Sequence, residues 1–496
     1  MTLIRDLLGQ AARTPGAVAL VAGDGQSVTY GELRRQVLAV RHGLLDAGME
    51  AGDGVLFSVR PSPESLVLAL GVVAARGVVI FADPGAGPEM FDARLRLAAP
   101  RWSAAESILY AGSRAGPVRA YARRRGLLLP NLADLGIPRH IHVGRGLPGV
   151  PRGSHSFSRL VKGPAPEPDG DGDPDAPAAV IFTSGTTANP RAVVHSQASL
   201  AASLDLFRTR VPFGLGDVVH TDQLMLGLPT LLSGARWSMP PLFCSAPAFA
   251  RLLDERAATH TFCVPVHLAE ILDACPRLPD RLRHVLLGAA PAPAGILRRA
   301  LAAAPSAEVL SVYAMTEILP VAIASAQEKL DHAGEGDFVG APLVGARLAE
   351  DGELLLSGAN LCRGYLGDPP HAELATGDLA RFDAEGRLIL MGRKKDMLIR
   401  GKFNLYPGLY EPAIAALDGV DEAAFVGLPD AETGDEEVVL AVVGAPDLPE
   451  RLPGLLPDVI DHDALPDRIV PLQALPRSGR SRKLDRDALR DRVARS

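Results

Sequence analysis

Between residues 18 and about 143, short apolar runs (VALVAG, GVLFSV, GVVIFADPG, ESILYAG) alternate with longer amphipathic stretches, residues 30–47 and 63–75 among them. Strand followed by helix, repeated, predicts a largely parallel sheet covered on both faces, because each crossover lays a helix against the strands it joins. The alternation resumes at the apolar strand 179–182 and continues through Val309 (HVLLGAAPAP, AEVLSVYAM). Between these blocks, Gly163 to Ala178 includes PAPEPDGDGDPDAP, which has almost no apolar surface to bury and reads as a flexible surface loop at an insertion or subdomain junction. From Gly340 to Met391 the texture changes to short alternating strands joined by Asp-Gly and Glu-Gly turns (EDGELLLSG, FDAEGRLILMG). Beyond Gly392 come a charged turn (GRKKD), a short strand, a helix near 408–417, a strand pair (AAFVGLPD, EEVVLAVVG) and a basic tail.

The expected class is therefore α/β. A large N-terminal domain, residues 1–391, combines α/β subdomains with a small β-rich one, and a small α+β C-terminal domain, residues 392–496, follows. The composition supports this, since 47% of 496 residues are hydrophobic and 22% charged, enough apolar surface for several cores. A net charge of −7 supplies no global field for nucleic acid or an anionic membrane, so neither is expected as a partner. Arg5 and Asp6 interrupt the only apolar run of the N-terminus, which argues against a secretory leader. Residues 66–81 contain Arg76 and are too short to span a bilayer. Cys244, Cys263, Cys275 and Cys362 show no CxxC pair or zinc spacing and are expected to be reduced core thiols of a cytoplasmic protein.

The chemistry concentrates first in Ile181–Arg191, IFTSGTTANPR, a strand running into a Thr/Ser/Gly turn. Backbone N–H groups and the hydroxyls of Thr183, Ser184, Thr186 and Thr187, with Gly185 between them, can converge on one anion, and Arg191 adds charge. The segment is a phosphate cradle, or else a plain Ser/Thr-rich turn; it does not match a Walker loop.

This segment is similar to the phosphate loop of the adenylate-forming superfamily of acyl-CoA synthetases, nonribosomal adenylation domains and luciferases, with Ala188 for a glycine and Arg191 for a lysine. Further motifs fall in the family's order along almost the whole chain. Gly288-Ala289-Ala290-Pro291 resembles the turn that lies along adenine, Tyr313-Ala-Met-Thr316-Glu317 resembles YGxTE, and Thr376-Gly-Asp378-Leu resembles TGDL. The segment from Gly392 to Gly401 resembles the opening of the mobile C-terminal domain, and that from Arg480 to Arg486 resembles the stretch bearing the catalytic lysine.

The resemblance implies a role for each. Tyr313 stacks on the purine, Asp378 accepts the ribose hydroxyls, Thr316 bonds the α-phosphate, Glu317 holds Mg²⁺, and Arg393 reaches ribose and phosphates. Lys395 falls at the hinge position. Lys483 bridges the substrate carboxylate and the ATP α-phosphate, and it is one of only six lysines against forty-five arginines. Arg482 stands where the family usually has glycine, and the spacing back to Pro476 is one residue long. Ala314 and Lys402 are further departures.

The implied reaction is ATP-dependent activation of a carboxylic acid to acyl-AMP, with Mg²⁺. Rotation of the C-terminal domain, bringing up the Arg400-Gly401 side, then admits a thiol of CoA or of a carrier protein's phosphopantetheine. The acyl pocket is expected along residues 220–234, where Leu224, Met225, Leu226 and Leu228 make it apolar, unless those side chains are helix core. Asp222 is a candidate partner for a substrate amine. Residues 81–87 and 319–323 are similar to olefin-pathway β-lactone synthetases, which act on β-hydroxy acids without a thiol, and to nearby fatty-acyl ligases, and the apolar pocket suggests an aliphatic or fatty acyl chain. Residues 393–407 resemble instead the thiol-presenting segment of ordinary ligases, apart from Lys402 and Phe403. A thioester ligase is expected first; a β-lactone synthetase, or a nucleotide-binding relative without turnover, is the alternative.

Overall fold

In the computed structural model the described residues are 2–82, 88–124, 129–168, 170, 172–182, 191–396, 398–400, 403–405, 407–429, 436–461, 464–478 and 482–496. Helix starts follow local side-chain chemistry. Thr29 and Glu32 form a reciprocal capping box ahead of the helix Tyr30–Asp46, and Ser62 with Pro63 opens the helix Pro63–Ala74 in the same way. The run ESILYAG is not a strand. Trp102–Glu106 is the strand, and Ser107–Arg114 is a helix whose buried face carries Ser107, Tyr110 and Ser113. That spacing of three, not the alternation of a strand, fits a helix with one face inward.

The alternation builds two eight-stranded sheets. One runs in the order Gly364–Tyr365, Ala192–Ser196, Pro177–Phe182, Val78–Phe81, Gly54–Ser58, Trp102–Glu106, Arg139–Val143, His155–Ser156, parallel from Pro177–Phe182 onward. The other runs Ala322–Ser325, Glu308–Tyr313, His284–Leu287, His260–Cys263, Val218–His220, Arg236–Ser238, Val18–Val21, Ser27–Thr29, parallel except at its two edges. Parallel strands put all their C-terminal ends on one edge, so the turns after His220, Cys263, Leu287 and Tyr313 share a rim. The low-apolarity segment is anchored by Glu167 pairing with Arg34, by the Asp175 carbonyl accepting from Arg363, and by the Pro174 and Ala176 carbonyls accepting from the Ala198 and Gln197 N–H groups. Its following strand begins at Pro177, not at residue 179.

The β-rich stretch is a five-stranded antiparallel sheet in the order Asp337–Gly340, Leu388–Arg393, Leu374–Phe382, Glu353–Ser357, Gly345–Leu348. After a 3-10 turn at Lys394–Asp396, the C-terminal part has an antiparallel pair, Val420–Pro429 and Glu436–Gly444. A third strand, Arg468–Pro471, adds parallel to the second, and the helices Pro407–Ala415, Leu448–Leu455 and Arg486–Val493 accompany them. All four cysteines are free, but only Cys263 and Cys362 are buried. Cys244 and Cys275 are half-exposed, because the sheet's loops hold them at its margin, so the expectation of four core thiols is corrected. No helix among the described residues is long and apolar enough to cross a membrane.

Candidate active site

Tyr313 ends the strand Glu308–Tyr313, and Asp378 lies within the strand Leu374–Phe382 of a different sheet, yet the Tyr313 hydroxyl donates to Asp378 Oδ2 at 2.5 Å. The other carboxylate oxygen, Oδ1, pairs with Arg393 Nε at 2.5 Å. Arg393 stands directly opposite Asp378 in the antiparallel register, at the end of the strand Leu388–Arg393. Asp378 is 4% exposed, and burial raises its pKa against the opposing pull of Arg393 and the Tyr313 hydroxyl. Burial and the facing carboxylate push the Tyr313 phenol upward as well, so it stays a donor. Thr376 steadies the strand by accepting from the Asp378 N–H at 3.0 Å while donating to the Leu354 carbonyl at 2.8 Å.

Lys483 opens the short strand Lys483–Leu484 of the C-terminal part and lies near enough to Arg393 and Asp378 for their charges to act on it. Its side chain is exposed, but partial desolvation and then the Arg393 guanidinium push its ammonium below the usual lysine range, with Asp378 opposing. Tyr313, Asp378, Arg393 and Lys483 thus come together from three segments of chain distant in sequence.

Thr316 and Glu317 follow Tyr313 on the rim, both half-buried. Tyr365 donates its hydroxyl to Glu317 Oε1 at 3.0 Å, while the Arg191 guanidinium sits over the Tyr365 ring at 5.2 Å. The contact forms because Gly364–Tyr365 adds antiparallel to Ala192–Ser196, which places Tyr365 across from Val193. The Tyr365 phenol is pushed up to about 12 by burial and by Glu317. His195, fully buried, contacts the Thr316 carbonyl through Nε2 at 2.7 Å; since a carbonyl only accepts, Nε2 carries the proton.

In the turn after His284–Leu287, a Cβ on Gly288 would meet the Phe262 ring at 2.9 Å, so only glycine fits there without displacement. Ala289 adopts φ +65°, the left-handed region where an L-residue is strained and glycine is not. Ala290 is half-buried and Pro291 exposed on the same turn.

Two family models match most of the chain on either side of Asp378 and Arg393: the AMP-binding enzyme model matches residues 7–366, and the AMP-binding enzyme C-terminal domain model matches residues 410–483. The chain belongs to the AMP-binding enzyme family. Similar curated proteins include a feruloyl-CoA synthase of an Amycolatopsis species, 28% identical over 477 residues that cover 88% of this chain and 87% of that protein. An indoleacetate–CoA ligase of Aromatoleum aromaticum is 30% identical over 389 residues, 70% of this chain and 73% of that one. Among solved structures, the amide bond synthetase McbA from Marinactinospora thermotolerans aligns with a TM-score of 0.82 at 25% identity, covering 98% of this chain and 99% of that one. This AMP-binding enzyme is an AMP-forming ligase that activates carboxylic acids through their acyl adenylates.

The remaining expected site residues of the AMP-binding enzyme fall in several places. Thr183, Ser184, Gly185, Thr186, Thr187 and Ala188 of the phosphate loop lie outside the described residues, as do Gly401 and Lys402. Leu224, Met225, Leu226 and Leu228 occupy the helix Leu224–Leu232. Leu226, 1% exposed, packs with Phe207, Val211 and Val219, so it is core with no surface left for a ligand. Met225 and Leu228 are half-buried against the core, Leu224 is 42% exposed, and Asp222 is exposed and bonded to Gln223. Lys395 is exposed in the 3-10 turn, beside a shallow recess shared with Gly377, Arg393 and Lys394.

Tyr365 and His195 escape the sequence reading. The signal for His195 is only its place within the apolar strand Ala192–Ser196, and Tyr365 sits in a two-residue strand with no motif of its own. Among the described residues no group of three His, Cys, Asp or Glu converges as a metal cage. The lone carboxylate of Glu317 is the donor set expected for Mg²⁺, which takes one or two protein carboxylates and fills its octahedron with phosphates and water.

Proposed function

We propose that this enzyme forms the acyl adenylate of an apolar carboxylic acid from ATP, releases pyrophosphate, and passes the acyl group to a thiol. What supports this reading is the bonded cluster of Tyr313, Asp378 and Arg393, with Lys483 near enough for the charges of Arg393 and Asp378 to act on it. Asp378, buried and paired with Arg393, offers a fixed acceptor for ribose hydroxyls, and the Tyr313 ring offers a face for the purine. Arg191 and Lys483 supply the positive charge that an anionic carboxylate needs as it approaches an anionic phosphate. Lys483 suits that task because a compact ammonium on a flexible stem can follow the reacting phosphorus. Mg²⁺ held by Glu317 would neutralise the phosphates.

CoA is the acceptor proposed first, because relatives named as feruloyl-CoA synthase and indoleacetate–CoA ligase share most of their length with this chain. A phosphopantetheine thiol on an acyl carrier protein presents the same chemistry. The likeness to an amide bond synthetase favours an amine as the second acceptor to test. Both named ligases act on aryl-bearing acids, so aryl and aliphatic acids belong in one panel.

The test is ATP–pyrophosphate exchange stimulated by that panel, with AMP release then measured upon adding CoA, a carrier protein or an amine. Lys483→Ala is expected to abolish exchange while ATP still binds. Exchange near the wild-type rate in that variant removes Lys483 from the chemistry, and no exchange with any acid in the parent chain overturns the catalytic reading. AMP release from a β-hydroxy acid with no acceptor present would assign the chain to lactone formation instead.

A further inference from the structure

Arg482 immediately precedes Lys483 in the turn of a small hairpin whose strands, Arg477–Ser478 and Lys483–Leu484, pair Ser478 with Lys483. It holds φ +47°, a left-handed backbone that favours glycine, so this chain accepts strain at a place where glycine would have none. The side chain that comes with the strain has a partner. Arg482 Nη1 donates to Glu270 Oε1 at 3.1 Å, and Glu270 belongs to the helix Pro265–Ala274 of the large N-terminal part. On the other side, the hairpin is tied to the C-terminal sheet. Arg477 donates to the Arg482 carbonyl at 3.1 Å and pairs with Glu422 in the strand Val420–Pro429. Glu422, Arg477, Arg482 and Glu270 therefore form one polar path from the C-terminal sheet to the helix Pro265–Ala274 of the N-terminal part.

We propose that Arg482 is a positioning residue for the adenylation half-reaction, holding Lys483 over the Asp378–Arg393 cleft by bonding Glu270 across the junction between the two parts of the chain. The inference rests on the role given to Lys483 above. The pair is half-open to solvent on both sides, 61% for Arg482 and 50% for Glu270, so it is weak enough to break in each cycle. A contact made in one pose and lost in another biases the equilibrium by its own small energy, which here favours acyl-adenylate formation.

The test uses the full chain with Arg482→Gln, Glu270→Gln, the double variant, and the exchanged pair Arg482→Glu with Glu270→Arg. Each single variant keeps a non-glycine residue at 482, so backbone strain is unchanged and only the bond is removed. The expected result is a fall of about twofold to fivefold in the exchange kcat with KM for ATP unchanged. The double variant should be no worse than either single, and the exchanged pair should recover most of the rate. Raising the salt concentration should erase the difference between parent and singles. A dye pair with one dye on each part of the chain should show fewer molecules in the close pose for both singles, at unchanged melting temperature. Additive losses, no recovery in the exchanged pair, or a salt-independent effect overturns the proposal. Full exchange in Arg482→Gln alongside none in Lys483→Ala sinks the Arg482 bond alone, whereas exchange surviving in Lys483→Ala sinks the reading beneath it.

Discussion

The Tyr313 hydroxyl and the Asp378 carboxylate meet at 2.5 Å across two sheets that share no strand. The bond fixes the large parallel sheet to the small antiparallel one at the point proposed for the nucleoside, and Arg393 locks the same carboxylate from its own strand. Asp378→Asn keeps the shape but removes the charge and one acceptor. KM for ATP in the exchange assay should rise by about tenfold or more, since a charge-assisted bond is worth roughly twice a neutral one. An unchanged KM would show that ribose does not use this residue.

Glu317 is held by the Tyr365 hydroxyl. Glu317→Gln preserves an acceptor for that bond while removing the charge, so exchange should fall by about 10²-fold to 10³-fold and respond weakly to added Mg²⁺. Tyr365→Phe leaves the charge but frees its orientation, and a loss of about tenfold with a raised Mg²⁺ requirement is expected. Titrating exchange against Mg²⁺ in both variants separates charge from orientation.

Gly227 lies against the Trp237 ring, where an added Cβ would come within 2.2 Å of ring atoms. Trp237 cannot retreat easily, being 1% exposed with its indole N–H bonded to the Thr221 carbonyl at 2.8 Å. Gly227→Ala should therefore destabilise by about 1–3 kcal/mol through overpacking. Urea denaturation followed by tryptophan fluorescence reads this directly, and a midpoint equal to the parent's would contradict it.

Burial holds two histidines neutral: the pKa of His220 is pushed down to about 4 and that of His260 to about 3, the latter helped by His284 stacked at 4.8 Å. Both values lie below the ordinary unfolded value of about 6.5, so the unfolded chain takes up protons first as pH falls. Their contribution is complete above about pH 6.5 and is lost as pH drops toward 4 and then 3, at up to about 1.4 kcal/mol per pH unit per site. His260→Phe keeps the ring packing and removes one titration. Its urea midpoint should depend less steeply on pH between about 6.5 and 4 than the parent's does.

The order of motifs, the strand–helix alternation and the antiparallel texture after Gly340 were legible in the amino-acid sequence because each depends on residues close together in the chain. Period and turn chemistry are local properties that gave the elements, and it was the resemblance of short local motifs to those of the adenylate-forming superfamily that put Tyr313, Asp378 and Lys483 in one chemical scheme. They were not enough for ESILYAG, whose helix is decided by a buried face that only tertiary packing supplies, nor for Leu226, whose neighbours Phe207 and Val219 arrive from other elements. Tyr365 on Glu317, His195 on the Thr316 carbonyl and Arg482 on Glu270 join residues 48, 121 and 212 positions apart. No local pattern encodes such pairings, because they exist only once sheet register and the docking of the C-terminal part bring those side chains within reach.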